Sequence, residues 1–157
     1  CMKLMRDLLQ ERVIDILREK LHIVYSPYVD LFYDGYPQQR AYLQLTIDAE
    51  KNNLETVEQT LCNIVTQFQD TAVSTANLEK MKRSFLVAKQ QALSNDTPVE
   101  WKNALTSLIK NEESIADFNH YESILQQITA QEIQQMFKQH IKLNKRIVLI
   151  KTDETKK

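Results

Sequence analysis

Apolar residues in the first twenty positions recur at intervals of three to five residues. Leu4, Leu8, Val13 and Leu17 follow this spacing, and charged residues lie between them. The pattern is typical of an amphipathic helix, and we predict that it ends near Leu21. The chain has left the helix before Pro27, because proline disfavours helical backbone in the residue that precedes it.

Two stretches with strand character follow. Residues 28–34 are mostly aromatic or branched, and in residues 41–48 apolar side chains alternate with polar ones. Gly35 and Pro37 lie between them and favour a turn. We therefore predict an antiparallel hairpin with one buried face.

The rest of the chain is mainly helical in pattern, with polar residues at the expected helix starts. Thr97-Pro98-Val99-Glu100 combines a cap, a proline at the first helical position and a glutamate three residues after the cap. The other predicted features are capping boxes at Asn52–Glu55 and Thr129–Glu132, a helix start near Ser74 or Thr75, and one or two short helices within 115–128.

A short, almost continuous apolar run, residues 146–150, closes the pattern and predicts a strand covered on both faces. The predicted fold class is α+β, an antiparallel sheet with helices layered on one face. We expect one domain over residues 1–150 and a frayed tail over 151–157. Because Cys1 and Met2 already lie in a helical pattern, the chain is expected to be the C-terminal part of a larger protein.

Composition excludes several classes of protein. The chain of 157 residues is 43% hydrophobic and 26% charged, which is typical of a globular domain, and its net charge is −1. Its cations are dispersed, so nucleic acid is not an expected partner. No apolar run approaches the roughly 18 residues of a membrane helix, so no membrane partner is expected either. Gly35 is the single glycine and cannot build a phosphate-binding loop.

The residues that could carry catalysis form no recognisable set. His22, His120 and His140 show none of the spacings of a zinc site, so no metal ligand or cofactor is predicted in this chain. Cys62 lies on an apolar helical pattern, where a small buried thiol is more frequent than a nucleophile. A disulfide with Cys1 remains an alternative at this point. No catalytic residue is predicted.

One segment resembles a known family. Leu17-Arg18-Glu19-Lys20, followed by Tyr25-Ser26, resembles a segment of pitrilysin- and insulinase-type zinc metallopeptidases, including the seven-residue separation of Arg18 and Tyr25. The preceding helix and the following hairpin agree with that family, in which four similar α+β domains form two halves around a chamber. The resemblance implies the C-terminal, non-catalytic domain.

The resemblance also implies a function. The domain would bind peptide substrate through Arg18 and Tyr25, zinc would belong to the larger protein, and the partner would be an N-terminal catalytic half or a separate subunit. Localisation would be periplasmic in an exported bacterial protein, with the cytoplasm as the alternative. Family members often carry glycine between the Arg and the Tyr. Because Ile23 resists positive φ, a different path is expected for the loop at His22 and Ile23.

Two other functions compete with this one. The chain could be a non-catalytic scaffold or partner subunit of the same fold, as in mitochondrial processing peptidase and the respiratory core proteins, with Arg18 and Tyr25 idle. It could also be a helical interaction module unrelated to peptidases. A sheet that leaves 28–34 and 41–48 unpaired would favour that last hypothesis.

Overall fold

A computed structural model describes residues 1–34, 40–94, 97–110, 116 and 120–151. Up to the last helix, its helices and strands follow the predicted order. In chain order they are α1 (Met2–Val13), a π-helical segment (Ile14–Lys20), β1 (Tyr28–Asp34), β2 (Arg40–Thr46), α2 (Leu54–Asp70), α3 (Thr75–Ser94), α4 (Pro98–Lys110), α5 (Tyr121–Gln127) and α6 (Ala130–His140). Single 3₁₀ turns precede α2 and follow α6, at Lys51–Asn53 and Leu143–Lys145.

The predicted hairpin is confirmed, because β1 and β2 pair antiparallel with Val29 opposite Leu45 and Leu31 opposite Leu43. These four residues form the inner face of the hairpin, which packs against α1. Pairing of the two strands removes the observation that would have favoured a helical module unrelated to peptidases. The turn predicted around Gly35 lies outside the described residues.

One hydrophobic core joins the inner face of the hairpin to the helices. It is built around α1, α2 and α6, because each contributes a stripe of apolar side chains at helical spacing. Its fully buried members are Leu4, Met5, Leu9, Val13, Leu17, Val29, Ile64, Ile133 and Phe137. The α+β fold class, with helices on one face of an antiparallel hairpin, is thereby confirmed.

Helices α2 and α6 exchange hydrogen bonds at their C-terminal turns. The Gln69 side chain donates to the carbonyls of Phe137 and Ile141 at 3.2 and 2.8 Å, and the Gln134 side chain donates to the carbonyl of Gln69 at 2.8 Å. The rings of Phe68 and Phe137 stack beside them, 4.5 Å apart. Each glutamine thus bonds to main-chain carbonyls near the end of the opposite helix, where α-helical geometry leaves several carbonyls without an internal partner.

The predicted helix starts are met in three places and missed in one. The capping box of Thr129 and Glu132 forms, Pro98 opens α4, and the Ser74 hydroxyl accepts from the Asn77 N–H at the start of α3. The box predicted at Asn52 is wrong. Asn52 lies inside a 3₁₀ turn and cannot take the extended backbone of an N-cap, and Asn53 is the cap residue, without a side-chain bond.

The strand predicted at 146–150 is also wrong for this chain. Residues 146–150 have no regular structure, and the apolar side chains at 147–150 are exposed. A strand requires a neighbour that accepts its main-chain hydrogen bonds, and among the described residues the sheet consists of β1 and β2 alone. Of the predicted frayed tail, Lys151 is described and exposed, and 152–157 lie outside the described residues.

Within 115–128, a short helix is present at Tyr121–Gln127, Ala116 is helical, and the other residues before His120 lie outside the described part. Cys1 and Cys62 are not joined in a disulfide; Cys1 is exposed and Cys62 is only partly buried. None of the helices in the described part of the chain has the length and apolarity needed to cross a bilayer. The single-domain boundary at residue 150 stays a prediction.

Candidate functional site

The first candidate residue, Arg18, lies in the π-helical segment that continues α1. Here each backbone N–H bonds five residues back, as the Leu21 N–H does to the Ile16 carbonyl at 3.0 Å. Such wide turns are rare and frequently lie at functional sites. Leu17 is fully buried and anchors the segment, while Arg18 is exposed and pairs with neighbouring Glu19 at 3.4 Å. An exposed pair of this kind contributes little, so the guanidinium stays free to exchange partners.

A small network of charged side chains spans the π-helical segment. The Lys20 ammonium and the Arg12 guanidinium both contact the Asp15 carboxylate, at 2.9 and 3.2 Å. The hydrogen bond from Lys20 is the main reason that the pKa of Asp15 lies below its ordinary value. The five-residue spacing of Asp15 and Lys20 matches the wide turn, so this pair supports the π-helical backbone.

His22 reverses the chain after the helix. It has φ = 53°, in the left-handed region, and the following Ile23 N–H bonds back to the Leu17 carbonyl at 3.1 Å. Positive φ is several-fold more frequent for His than for most residues and unfavourable for a β-branched one. The departure from the family's glycine therefore falls on His22, which accepts the strained conformation, while Ile23 avoids it.

Tyr25, the second candidate residue, lies on a short segment that is fixed at both ends. Before it, Val24 is buried and bridges Ala49. After it, the Gln10 side chain donates to the Pro27 carbonyl at 2.9 Å and accepts from the Val29 N–H at 2.6 Å. Between these anchors the Tyr25 side chain projects outward and is 83% exposed. A phenol in this position is open to a ligand.

Sequence reasoning missed Gln10. A glutamine on a predicted helix gives no signal that its amide will complete the hydrogen bonds at the start of a strand. Only the packing of α1 beside β1 brings Gln10 within reach of Pro27 and Val29.

The outer face of the hairpin carries exposed aromatic side chains. By the strand register, Tyr28, Phe32 and Tyr42 share this face, and Phe32 and Tyr42 are cross-strand neighbours with stacked rings 4.8 Å apart. Stacked aromatic pairs of this kind stiffen a hairpin. The outer face of the hairpin is therefore a rigid aromatic surface.

A metal centre would need several ligand side chains close together. Among the described residues, no group of three or more His, Cys, Asp or Glu side chains comes close enough to hold a metal ion. His22, His120 and His140 are all exposed, and His120 contacts the Ala116 carbonyl through Nδ1 at 2.8 Å.

No protein-family model matches the sequence, and no curated protein matches it. Several solved structures are similar, and two of them are described here. A crystal structure of a peptidase M16 inactive domain from Pseudomonas fluorescens has a TM-score of 0.67 and 13% identity, over 81% of this chain and 29% of that one. The periplasmic protease PqqL from Escherichia coli has a TM-score of 0.71 and 16% identity, over 88% of this chain and 15% of that one.

The matched stretch therefore spans less than a third of either similar chain. At these identities the likeness establishes the fold, and the fold agrees with the one implied by the segment from Leu17 to Ser26. The roles of Arg18 and Tyr25 stay predictions. This chain has the fold of the inactive domain of M16, or pitrilysin-type, peptidases.

Proposed function

We propose that this domain is the zinc-free, substrate-binding part of a zinc metalloendopeptidase that degrades peptides in an enclosed chamber. The observation that supports this function best is the display of Tyr25. Its side chain is 83% exposed, while the backbone on either side is fixed by the Val24–Ala49 bridge and by Gln10. The backbone that carries the hydroxyl is thus preorganised, and preorganisation is the property that transition-state stabilisation requires.

Arg18 and Tyr25 would perform different parts of the task. The Arg18 guanidinium presents several fixed N–H donors, which suit the carbonyl groups of an extended peptide. The Tyr25 hydroxyl donates to the scissile carbonyl oxygen as negative charge develops on it. Binding by Arg18 would act mainly on substrate affinity, and donation by Tyr25 mainly on the rate of the chemical step.

Zinc would come from elsewhere in the peptidase, because the described residues of this chain do not fit a zinc site. The partner in this proposal is a catalytic half, either joined to this domain or a separate subunit. Since PqqL is described as a periplasmic protease, we place an exported bacterial form of this protein in the periplasm.

The test compares Arg18→Ala and Tyr25→Phe in the assembled peptidase, using a fluorogenic peptide. Tyr25→Phe should lower kcat by roughly 10²- to 10³-fold with little change in KM, as expected for loss of one oxyanion donor. Arg18→Ala should raise KM more than it lowers kcat. The matched controls are Tyr28→Phe, on an exposed tyrosine of β1, and Arg83→Ala, on an exposed arginine of α3.

Wild-type kinetics in both Arg18→Ala and Tyr25→Phe would remove these roles. The second candidate function, a scaffold or partner subunit of the same fold, would then be preferred, and the exposed apolar residues 147–150 favour such a role independently. A zinc measurement on the assembled protein identifies a pure scaffold, which would bind no zinc and cleave no peptide. A partner subunit of an active peptidase is instead recognised by wild-type kinetics in the two variants.

A further inference from the structure

The outer face of the hairpin carries an acidic side chain beside its aromatic pair. By the strand register, Asp30 and Phe32 of β1 share this face with Tyr42 and Gln44 of β2, and Asp30 lies directly opposite Gln44. Asp30 is half-buried, whereas Phe32 and Tyr42 are 39% and 53% exposed. Side chains two positions apart on one strand, or diagonal across a strand pair, lie within about 8 Å of each other. One ligand can therefore contact the carboxylate and both rings.

The Asp30 carboxylate has no partner within the described part of the chain, where it forms neither an ion pair nor a hydrogen bond. Opposite it, Gln44 donates through Nε2 to the Thr46 hydroxyl at 3.3 Å, and its Oε1 accepts no hydrogen bond from a described residue. Arg40 shares the face but lies four positions along β2 from Gln44, or about 13 Å. A half-buried carboxylate without a partner is unfavourable, so this position favours a ligand that brings a positive charge.

The two rings suit a cation as well. Phe32 and Tyr42 stack 4.8 Å apart with their planes 13° from parallel, so each ring has one face that the other does not cover. The face of an aromatic ring carries negative potential and attracts an ammonium or guanidinium group within about 6 Å of its centre. The ring also packs against the apolar stem of a lysine or arginine side chain. A carboxylate beside such rings has the chemistry that recognises these two side chains.

Other covers fit this face less well. An apolar protein surface would bury the Asp30 carboxylate without a partner, and that burial is costly. Two copies of this face packed against each other would bring two aspartates and no added cation into one contact, which leaves both charges uncompensated. The occupant that satisfies both the rings and the carboxylate is a basic side chain.

The length of the intervening chain limits the distance between this face and the candidate site. Asp30 follows Tyr25 by five residues, so their Cα atoms are at most about 18 Å apart. An extended peptide covers that distance with about five or six residues. A peptide bound at Tyr25 is therefore long enough to bring one of its own residues to Asp30.

We propose that Asp30 and the Phe32–Tyr42 pair form a subsite for a lysine or arginine side chain of the peptide substrate. The inference rests on the proposed function and adds a substrate class to it, namely peptides with a basic residue within about six residues of the scissile bond. The carboxylate would bind the cation, while the rings contact its charge and its stem. Because this contact is the same before and during the reaction, it acts on substrate affinity and not on the chemical step.

The experiment measures the affinity of labelled peptides for the assembled peptidase by fluorescence anisotropy, with a chelator present so that no peptide is cleaved. The peptides are made in pairs that carry lysine or norleucine at one position, and this position is moved along the peptide from pair to pair. At the preferred position, Asp30→Asn should weaken binding of the lysine peptide about three- to tenfold and leave the norleucine peptide unchanged. Tyr42→Leu, which keeps an apolar side chain, should weaken binding of the lysine peptide about two- to fivefold.

Asp70→Asn, on an exposed aspartate at the end of α2, removes the same charge elsewhere and should leave all affinities unchanged. The melting temperature of Asp30→Asn should equal that of the wild type, because the carboxylate has no partner to lose in the described part of the fold. Equal effects of Asp30→Asn on both peptides of every pair, or no effect on any, would overturn the proposal. Wild-type cleavage in Arg18→Ala and Tyr25→Phe, beside a selective loss in Asp30→Asn, would remove the earlier roles and leave this subsite in place.

Discussion

The side-chain oxygen of Gln10 accepts a hydrogen bond from the main-chain N–H of Val29 at 2.6 Å, across nineteen positions of sequence. The nitrogen of the same amide donates to the Pro27 carbonyl at 2.9 Å. Gln10 thus gives the start of β1 the pair of bonds that a neighbouring strand would otherwise provide. Because Tyr25 lies just before this clamp, a residue of α1 determines where the candidate phenol is held.

Gln10→Ala should destabilise the chain by about 1–3 kcal/mol in urea unfolding, because the N–H of fully buried Val29 loses its partner. Exchange of the Val29 amide hydrogen should also become faster. Gln59→Ala is the matched control, since its amide contacts only Glu55 on an exposed face, and it should change stability by less than about 0.5 kcal/mol. Equal effects of the two substitutions would contradict the clamp.

At His22 the expected order of stability is glycine, then histidine, then valine. A left-handed conformation costs a residue with a Cβ roughly 1–2 kcal/mol, and glycine avoids this cost. Glycine is also more flexible in the unfolded chain, which offsets part of the stability gained by removing the Cβ. His22→Gly should therefore range from neutral to about 1 kcal/mol more stable. His22→Val should be less stable than wild type by about 1–2 kcal/mol. Equal stability of the glycine and valine variants in urea would show that φ is not positive here in solution.

Lys82 is a buried cation, only 3% exposed. Its ammonium donates to Glu79 at 2.9 Å and to the Gln126 carbonyl, in the last turn of α5, at 3.0 Å. Lys82→Met keeps the apolar stem but leaves that carbonyl without a partner, so we expect a loss of about 1–3 kcal/mol by thermal or urea unfolding. Lys80→Met, on an exposed lysine paired with Glu11, should cost about 1 kcal/mol or less. A neutral Lys82→Met would mean that water replaces the ammonium at the end of α5.

The capping box of α6 should make stability depend on pH in the acid range. Hydrogen bonds from the Thr129 N–H and hydroxyl hold the pKa of Glu132 below its ordinary value. A lowered pKa in the folded state means that the stabilisation is fully present above the unfolded pKa, about 4.3, and is lost as pH falls through the folded value. In Glu132→Gln, the free energy of unfolding should fall less steeply between about pH 5 and 3.

Thr129→Ala gives a second measure of the same box. It removes the cap hydroxyl, so stability at neutral pH should fall by about 1 kcal/mol, and the acid dependence should also become shallower. An unchanged pH dependence in both variants would show that Glu132 does not contribute through its ionised form.

Local patterns predicted the parts of this fold that depend on neighbours in sequence. The hairpin followed from alternation at 41–48, because its two strands are consecutive along the chain. The start of α6 followed from Thr129 and Glu132, because the bonds between them join residues three positions apart. The same rule failed at Asn52, where Glu55 instead accepts from Gln59, one turn ahead. A capping pattern does not specify which of two adjacent asparagines ends the preceding turn.

Other features depend on contacts that a sequence does not display. Arg18 and Tyr25 were identified from a resemblance, but the positive φ at His22 and the clamp from Gln10 emerge only when α1 packs beside β1. Apolarity on both faces of residues 147–150 predicted a covered strand, yet no pattern within the chain specifies the partner that would cover it. The sequence thus indicated that this segment needs a strand partner, but it did not identify that partner.

The wide turn at Ile14–Lys20 changes how the sequence of this helix aligns with the sequence of a regular α-helix. Because each hydrogen-bonded loop of a π-helix contains one residue more than that of an α-helix, the segment holds an extra residue over the same path. A related chain with a regular helix here would need a one-residue gap between Val13 and Leu21, although residues on both sides keep their places in space. The number of residues between the buried face of α1 and Tyr25 would therefore be one smaller in a related chain with a regular helix here.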